Sequence, residues 1–222
     1  MDNLYFAERL MGYISGLLNQ WRKTTGRLGR LLAWAMNFTH SILTDWGLKH
    51  IVIEKHYTIL DIGCGGGGTI HKLAGIAVEG KVYGIDWSDE SVKVSCRTNK
   101  RFIEVGRVEI QNGSVSCLPF SNNMFDLVTS VNTHYPWPDL VSDMKEVLRV
   151  LKPGGKLMIL GGGYKGGKHQ DRYRKFLAAM EVTVYHSTRE LGELFSVAGY
   201  SDVHIFVKYE LDFICGIGTK PS

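Results

Sequence analysis

The chain has 222 residues, 44% hydrophobic and 22% charged, with a net charge of +4. That is enough for one α/β domain with an appendage, and it excludes a disordered chain. The mild basic excess does not by itself indicate nucleic acid, and four scattered cysteines (64, 96, 117 and 215) without CxxC or CxxH spacing argue against structural zinc and for a reduced, cytoplasmic protein.

The opening Met1-Asp2-Asn3 lacks the basic region of a signal peptide. The longest uncharged run near the N-terminus, residues 31–44, contains Asn37 and His40 and is too short to span a bilayer. Residues 3–20 read as a first helix, with Leu4, Phe6, Leu10, Tyr13, Ile14 and Leu17 roughly on one side. A basic break over 22–30 follows, then a second helix over 31–46. Its apolar stripe is Leu31, Ala35, Phe38, Ile42 and Trp46; Ala33, Asn37, His40 and Thr44 form another, so Asn37 and His40 point the same way. They read either as a satisfied polar pair in the core or as a polar face closing over an active site.

From residue 57 strands alternate with helices. The expected order is a strand over 58–62, a helix over 68–76, a strand over 81–86 and a helix over 89–100 capped by Ser88. Strands over 108–111 and 125–131 follow. Pro138 is then expected as the first residue of a helix carrying Val141, Met144, Val147, Leu148 and Leu151. Lys152-Pro153-Gly154-Gly155 has the chemistry of a type II turn before a fifth strand over 156–160. A polar helix near 170–180 and a Ser187-capped helix ended by Gly199 come next. Two β-like runs, 202–208 and 210–216, have no helix between them and should form an antiparallel hairpin. Together these give an α/β chain with a mostly parallel sheet covered on both faces.

The first strand runs into Asp61-Ile62-Gly63-Cys64-Gly65-Gly66-Gly67-Gly68. Such a turn between a buried strand and a helix start suits an electron-rich ligand touching main chain. Gly63, Gly65 and Gly68 match the dinucleotide fingerprint, and Asp86 ends the second strand where a carboxylate would take ribose hydroxyls. Both features fit NAD and S-adenosylmethionine alike. Three others decide. Asp61, two residues before the glycines, is costly to bury unless it receives hydrogen bonds or a cation, and it offers nothing to a pyrophosphate. Leu118-Pro119-Phe120 with Phe125-Asp126, then Leu151 to Gly155, have no counterpart in the dehydrogenase pattern. The third is the terminal hairpin.

With these residues the chain resembles class I S-adenosylmethionine-dependent methyltransferases, in particular the small-molecule branch similar to ubiquinone/menaquinone-biosynthesis-type enzymes, over about residues 57–217. The resemblance implies a Rossmann-like seven-stranded sheet with strand seven inserted antiparallel between five and six. It implies that Asp61, Gly63, Cys64 and Gly65 cradle the methionine part of S-adenosyl-L-methionine, that Asp86 binds the ribose diol, and that Trp87 packs on adenine. Gly113, Ser114 and Val115 fall beside the adenine, where Ser114 replaces the family's usual acid and Asn112 or Gly113 would compensate. Ser130, Val131 and the residues to Thr133 are placed beside the cofactor.

Methyl transfer from a sulfonium is an in-line displacement, so no nucleophilic residue or metal is required, and a base only if the acceptor must lose a proton. The loop Asn132-Thr133-His134-Tyr135-Pro136-Trp137-Pro138 lies at the strand ends where ligands of such sheets sit. His134 is the first candidate for base or substrate orienter, and Tyr135 and Trp137 for pocket walls. His40 and Asn37 are rivals, and Tyr5, Tyr13 or Trp21 contribute to a lid. Residues 162–168 fit GxxxxGK, but His169 stands where a P-loop needs a hydroxyl. This segment reads as a mobile lid whose Lys165, Lys168, Arg172 and Arg174 either meet an acidic acceptor or form a solvated basic face.

The expected protein is therefore a methyltransferase for a small-molecule acceptor, releasing S-adenosyl-L-homocysteine, with a helical cover over 1–50 and a catalytic domain over 51–222. No metal, nucleic acid or membrane insertion is expected. The alternatives are a tRNA or rRNA methyltransferase using the basic segments 22–30 and 165–175, and a non-catalytic S-adenosylmethionine-binding protein.

Overall fold

The computed structural model describes residues 41–171, 174, 178 and 185–222. Seven strands form one sheet: β1 (Thr58–Ile62), β2 (Lys81–Asp86), β3 (Val108–Asn112), β4 (Phe125–Val131), β5 (Leu151–Gly162), β6 (Ser201–Lys208) and β7 (Phe213–Thr219). Their order is β3-β2-β1-β4-β5-β7-β6. The first five run parallel, and β7 is antiparallel to both β5 and β6. The expected insertion of the last strand between β5 and β6 is present.

Successive residues of β1 face opposite sides of the sheet, and each side is covered. Leu60 and Ile62 join a core with Met144, Val147, Leu191 and Phe195, from helices α4 (Leu140–Val150) and α5 (Thr188–Val197). Ile59 joins the opposite core with Ile70 and Leu73 of α1 (Gly68–Ile76) and with Leu43. Ile59, Leu60 and Ile62 give the strand the apolar residues that burial on both faces demands, and Asp61 is its one buried acidic group.

The helix expected over 89–100 is instead two, α2 (Asp89–Thr98) and α3 (Lys100–Glu104). They meet at Asn99, whose side-chain amide donates to the Gly67 carbonyl (3.0 Å) in another part of the chain. Pro138 does not open α4: Asp139 is its N-cap, accepting from the Ser142 amide, and a carboxylate in that position outcompetes proline's preset φ. β5 is longer than expected. It begins at Leu151, opposite Phe125, and resumes at Lys156, opposite Leu127, so the Pro-Gly-Gly turn is a bulge inside the strand, with Gly154 at φ 78°. β7 begins at Phe213 rather than 210, because Tyr209–Leu211 form a 3-10 turn closed by Asp212 at φ 53°.

The first expected helix, the basic break, Asn37, His40, Tyr5, Tyr13 and Trp21 lie outside the described residues, as does most of the 170–180 segment. The end of the second helix, residues 41–47, is described. It seats on the sheet: a Cβ on Gly47 would come within 2.3 Å of Leu160, and Trp46 packs on Phe213 with ring centroids 5.7 Å apart. No helix among the described residues is long and apolar enough to cross a membrane. All four cysteines are free thiols.

Candidate active site

The glycine turn folds back over the end of β2. The amides of Gly63 and Cys64 both donate to the Ile85 carbonyl, at 2.8 and 3.0 Å. Gly63 takes φ 70°, and a Cβ there would come within 2.6 Å of Thr133, so neither conformation nor space admits a side chain. Gly67, at φ 81°, ends the turn as the N-cap of α1, without a side-chain cap.

Two buried carboxylates flank the turn. Asp61 accepts a 2.6 Å hydrogen bond from the Thr129 hydroxyl. Burial pushes its carboxyl up to about 7, the nearby Asp86 adds to this, and the Thr129 bond opposes it. Asp86 accepts from the Gly65 and Ser88 amides, each at 2.9 Å. Burial raises it too, against those same bonds. Cys64 is buried with its thiol held protonated by burial, and it packs under Gly84.

Asp61, Gly63, Gly65, Val131 and Thr133 line one cavity with Thr69 and Lys72 of α1, and with Ser41 and Thr44 of the helical segment 41–47. Ser130 lies fully buried behind it, its hydroxyl 2.8 Å from that of Thr133, and Thr133 donates to the Ile62 carbonyl. Trp87 leaves the end of β2 with an indole that is 52% exposed. The Gly113 amide donates to the Asp86 carbonyl at 3.1 Å. Asn112 donates to the Trp87 carbonyl and to Asp89, so its amide shapes this corner. Ser114 accepts from the Ser116 amide within its own turn, and Val115 is buried in the core. The structure thus brings Asp61, Gly63, Cys64, Gly65, Asp86, Trp87, Gly113, Ser130 and Val131 to one end of the sheet. The Ser114 hydroxyl serves its own turn.

These residues fit S-adenosylmethionine. A carboxylate with a depressed tendency to ionise gains most from an ammonium partner, glycine main chain admits close approach, and an exposed indole offers a stacking face. Among the described residues no cluster of three or more histidine, cysteine or acidic side chains is placed to hold a metal.

The loop after β4 is fixed differently. Asn132 adopts φ 57°, its amide donates to the Leu160 carbonyl (2.8 Å), and its side-chain oxygen accepts from the Gly162 amide (2.7 Å). That clasp ties the loop to the end of β5. His134 is 4% exposed and packs on Tyr135 with ring centroids 4.0 Å apart. Both rings fill the space over Gly161, where a Cβ would lie 2.5 Å from the Tyr135 hydroxyl. Tyr135 donates to the Gly163 carbonyl at 3.2 Å. The buried His134 Nδ1 has no partner among the described residues. Burial, with a smaller effect of His186, lowers the imidazole to about 3, so it is neutral at physiological pH. Trp137 packs against the core.

The segment expected to be a mobile lid is tied at residues 163–169. Gly163 donates to the Asp212 carbonyl, and His169 reaches the Asp212 carboxylate through its amide and Nδ1 at 2.9 and 2.8 Å. Lys165 pairs with Glu190 at 2.9 Å, and Lys168 pairs with Glu210. Arg174 lies 3.6 Å from Asp171.

Sequence reasoning passed over several residues that shape the site. Thr129 sits opposite Asp61 across the β1–β4 pairing, which only register reveals. Lys72 had a signal, as a cation one turn after Gly68 on α1. Glu146 and Arg149 clamp the Leu118-Pro119-Phe120 segment: Glu146 accepts from the Leu118 amide, and Arg149 donates to the carbonyls of Leu118 and Phe120.

A family model described as a methyltransferase domain matches residues 53–176. An uncharacterized methyltransferase of Bacillus subtilis (strain 168) is 25% identical over 195 residues, covering 86% of this chain and 99% of its own. A demethylmenaquinone methyltransferase of Lactiplantibacillus plantarum is 24% identical over 220 residues, covering 89% of this chain and 92% of its own. Among solved structures, a methyltransferase from Haloferax volcanii in complex with a methyltransferase activator superposes with a TM-score of 0.74 at 19% identity, over 92% of this chain and 98% of that one. A SAM-dependent methyltransferase from Aquifex aeolicus gives 0.65 at 21% identity, over 80% and 89%.

Proposed function

The chain belongs to the class I S-adenosylmethionine-dependent methyltransferases, and from that membership we propose that it methylates a small-molecule acceptor seated between the glycine turn and the loop 132–138. The observation that carries the acceptor reading is the shared cavity: Ser41 and Thr44 of the helical segment 41–47 wall the same space as Asp61, Gly63 and Thr133. A site closed from that side favours a small acceptor over a polymer.

When bound, S-adenosylmethionine supplies a methyl group on a sulfonium, electrophilic enough that the protein contributes chiefly position and exclusion of water. Asp61, Gly63 and Gly65 would hold its amino-acid end, Asp86 its ribose, and Trp87 with Gly113 its adenine. Val131 and Thr133 form the wall next to Gly63. His134 is the residue for orienting the acceptor. A neutral imidazole at about 3 is a poor base at pH 7, but its unpartnered buried Nδ1 gains from a polar group of an acceptor. Tyr135 forms the adjoining wall.

The RNA reading loses support at Lys165 and Lys168, since both are already paired with carboxylates of the chain. The name of the demethylmenaquinone methyltransferase relatives makes a demethylated quinol the first acceptor to assay. The test is release of S-adenosylhomocysteine with cell extract separated by molecular mass. Acceptor activity in the low-mass, ribonuclease-resistant fraction is expected. Ribonuclease-sensitive incorporation into RNA would overturn the proposal.

A further inference from the structure

Lys72 stands one turn into α1 and lines the same cavity as Asp61, Gly63 and Thr133. Its ammonium donates to the Ser41 carbonyl at 3.1 Å and the Ser41 hydroxyl at 2.9 Å, and it forms an ion pair with Asp45. The Lys72 side chain is 27% exposed and that of Asp45 is 59% exposed. Among the described residues lining this cavity, Asp61 carries the acidic group and Lys72 the cationic one. The amino-acid end of S-adenosylmethionine carries one ammonium and one carboxylate. Asp61 answers the first, and Lys72 is the cationic side chain lining the cavity that can answer the second.

We propose that Lys72 is the cationic contact for the cofactor's carboxylate, so that Asp61 and Lys72 together recognise a zwitterion. The inference rests on the reading of the glycine turn as the cofactor site. Two features prepare Lys72 for it. Both oxygens of Ser41 hold the ammonium at the cavity wall, which limits the rotamer freedom a lysine otherwise loses on binding. Asp45 supplies a counter-charge from the solvent side, and exchanging one carboxylate for another keeps the ammonium paired throughout. Lys72 thereby also links the cofactor helix to residues 41–45, so cofactor binding and seating of the helical segment share one side chain.

Calorimetry with three ligands tests this. S-adenosylhomocysteine has the whole amino-acid end, decarboxylated S-adenosylmethionine keeps the ammonium but lacks the carboxylate, and 5′-methylthioadenosine lacks both. Lys72→Met should weaken S-adenosylhomocysteine by about tenfold to a hundredfold, the range for a lost charge-assisted bond. It should leave the other two within about twofold, as expected for ligands without the carboxylate. Asp45→Asn should leave S-adenosylhomocysteine unchanged or tighten it, because a competing carboxylate is gone.

If Lys72 serves only to fasten the helical segment, Lys72→Met weakens all three ligands alike and Asp45→Asn weakens S-adenosylhomocysteine as well. Either result overturns the proposal, as does unchanged S-adenosylhomocysteine affinity in Lys72→Met. Binding of 5′-methylthioadenosine doubles as the folding control. Asp45→Asn, a surface change that leaves Lys72 in place, keeps the proposal falsifiable should Lys72→Met not fold. Failure of the unmodified protein to bind any of the three would instead overturn the cofactor-site reading itself.

Discussion

The two halves of the site are built from opposite materials. At the ends of β1 and β2, Asp61 and Asp86 are buried carboxylates, supported by the Thr129 hydroxyl and by the amides of Gly65 and Ser88. At the ends of β4 and β5, the buried group is the neutral His134, packed on the half-buried ring of Tyr135, and the nearby Lys165 and Lys168 are paired on the surface. Fixed charge in a low-dielectric setting selects a charged ligand strongly. A neutral aromatic wall selects by shape and by single hydrogen bonds. Under the proposed function, the first half would select its ligand by charge, and the second would restrict geometry more than charge.

The largest expected effect breaks the charged half at its backbone. Gly63→Ala forces a side chain into φ 70° and against Thr133 at 2.6 Å. It should cost about 2–4 kcal/mol of stability in a denaturant titration and abolish measurable cofactor binding. Asp86→Ala should weaken S-adenosylhomocysteine by about 1.5–3 kcal/mol in calorimetry through lost charged hydrogen bonds; unchanged affinity would remove Asp86 from the site. The neutral half should respond in the other currency. His134→Ala should lower turnover by about tenfold to a hundredfold with cofactor affinity nearly unchanged, as loss of orientation predicts. The reverse pattern would make His134 a cofactor contact.

The pH dependence sharpens the same contrast. Asp61 rises from 3.8 to about 7 in the folded chain, so between about pH 4 and 7 the folded chain holds a proton that the unfolded chain has released. Without ligand, stability from this group should fall as pH rises through that window, and Asp61→Asn should remove the slope in thermal melts. Cofactor affinity should move the opposite way, rising toward pH 7 as the ionised carboxylate becomes available to an ammonium. His134, at about 3, should contribute no inflection to turnover near neutrality. The smallest effect is at the surface: Lys165→Met removes a partly exposed pair with Glu190 and should change stability by less than about 1 kcal/mol.

The elements around the glycine turn were legible in the sequence because they are local. A strand, a glycine turn and a helix start occupy consecutive residues, and Asp86 ends the next strand. What stayed hidden depends on register or on long-range reach. Thr129 meets Asp61 only through the β1–β4 pairing, and Asn99 breaks the expected helix to hold Gly67 from 32 residues away. The burial of His134 was also illegible: its loop is polar in sequence, and it is the glycine at 161 on β5 that opens room for the ring. The basic run 165–168 suggested a partner of opposite charge, but its partners are Glu190, in the first turn of α5, and Glu210, in the turn between β6 and β7.

The placement of β7 has a consequence for how the molecule is made. It pairs with β5 along Lys156 to Gly162 and with β6 along Ser201 to Lys208, and among the described residues β6 has no other strand beside it. During synthesis β1 to β5 emerge in an order that lets them associate, but the exposed edge of β5 stays open until residues 213–219 leave the ribosome. An unpaired edge beside apolar Met158 and Leu160 is a template for wrong pairing. The sheet is therefore complete only once residues 213–219 pair, long after the glycine turn and Asp86 have emerged.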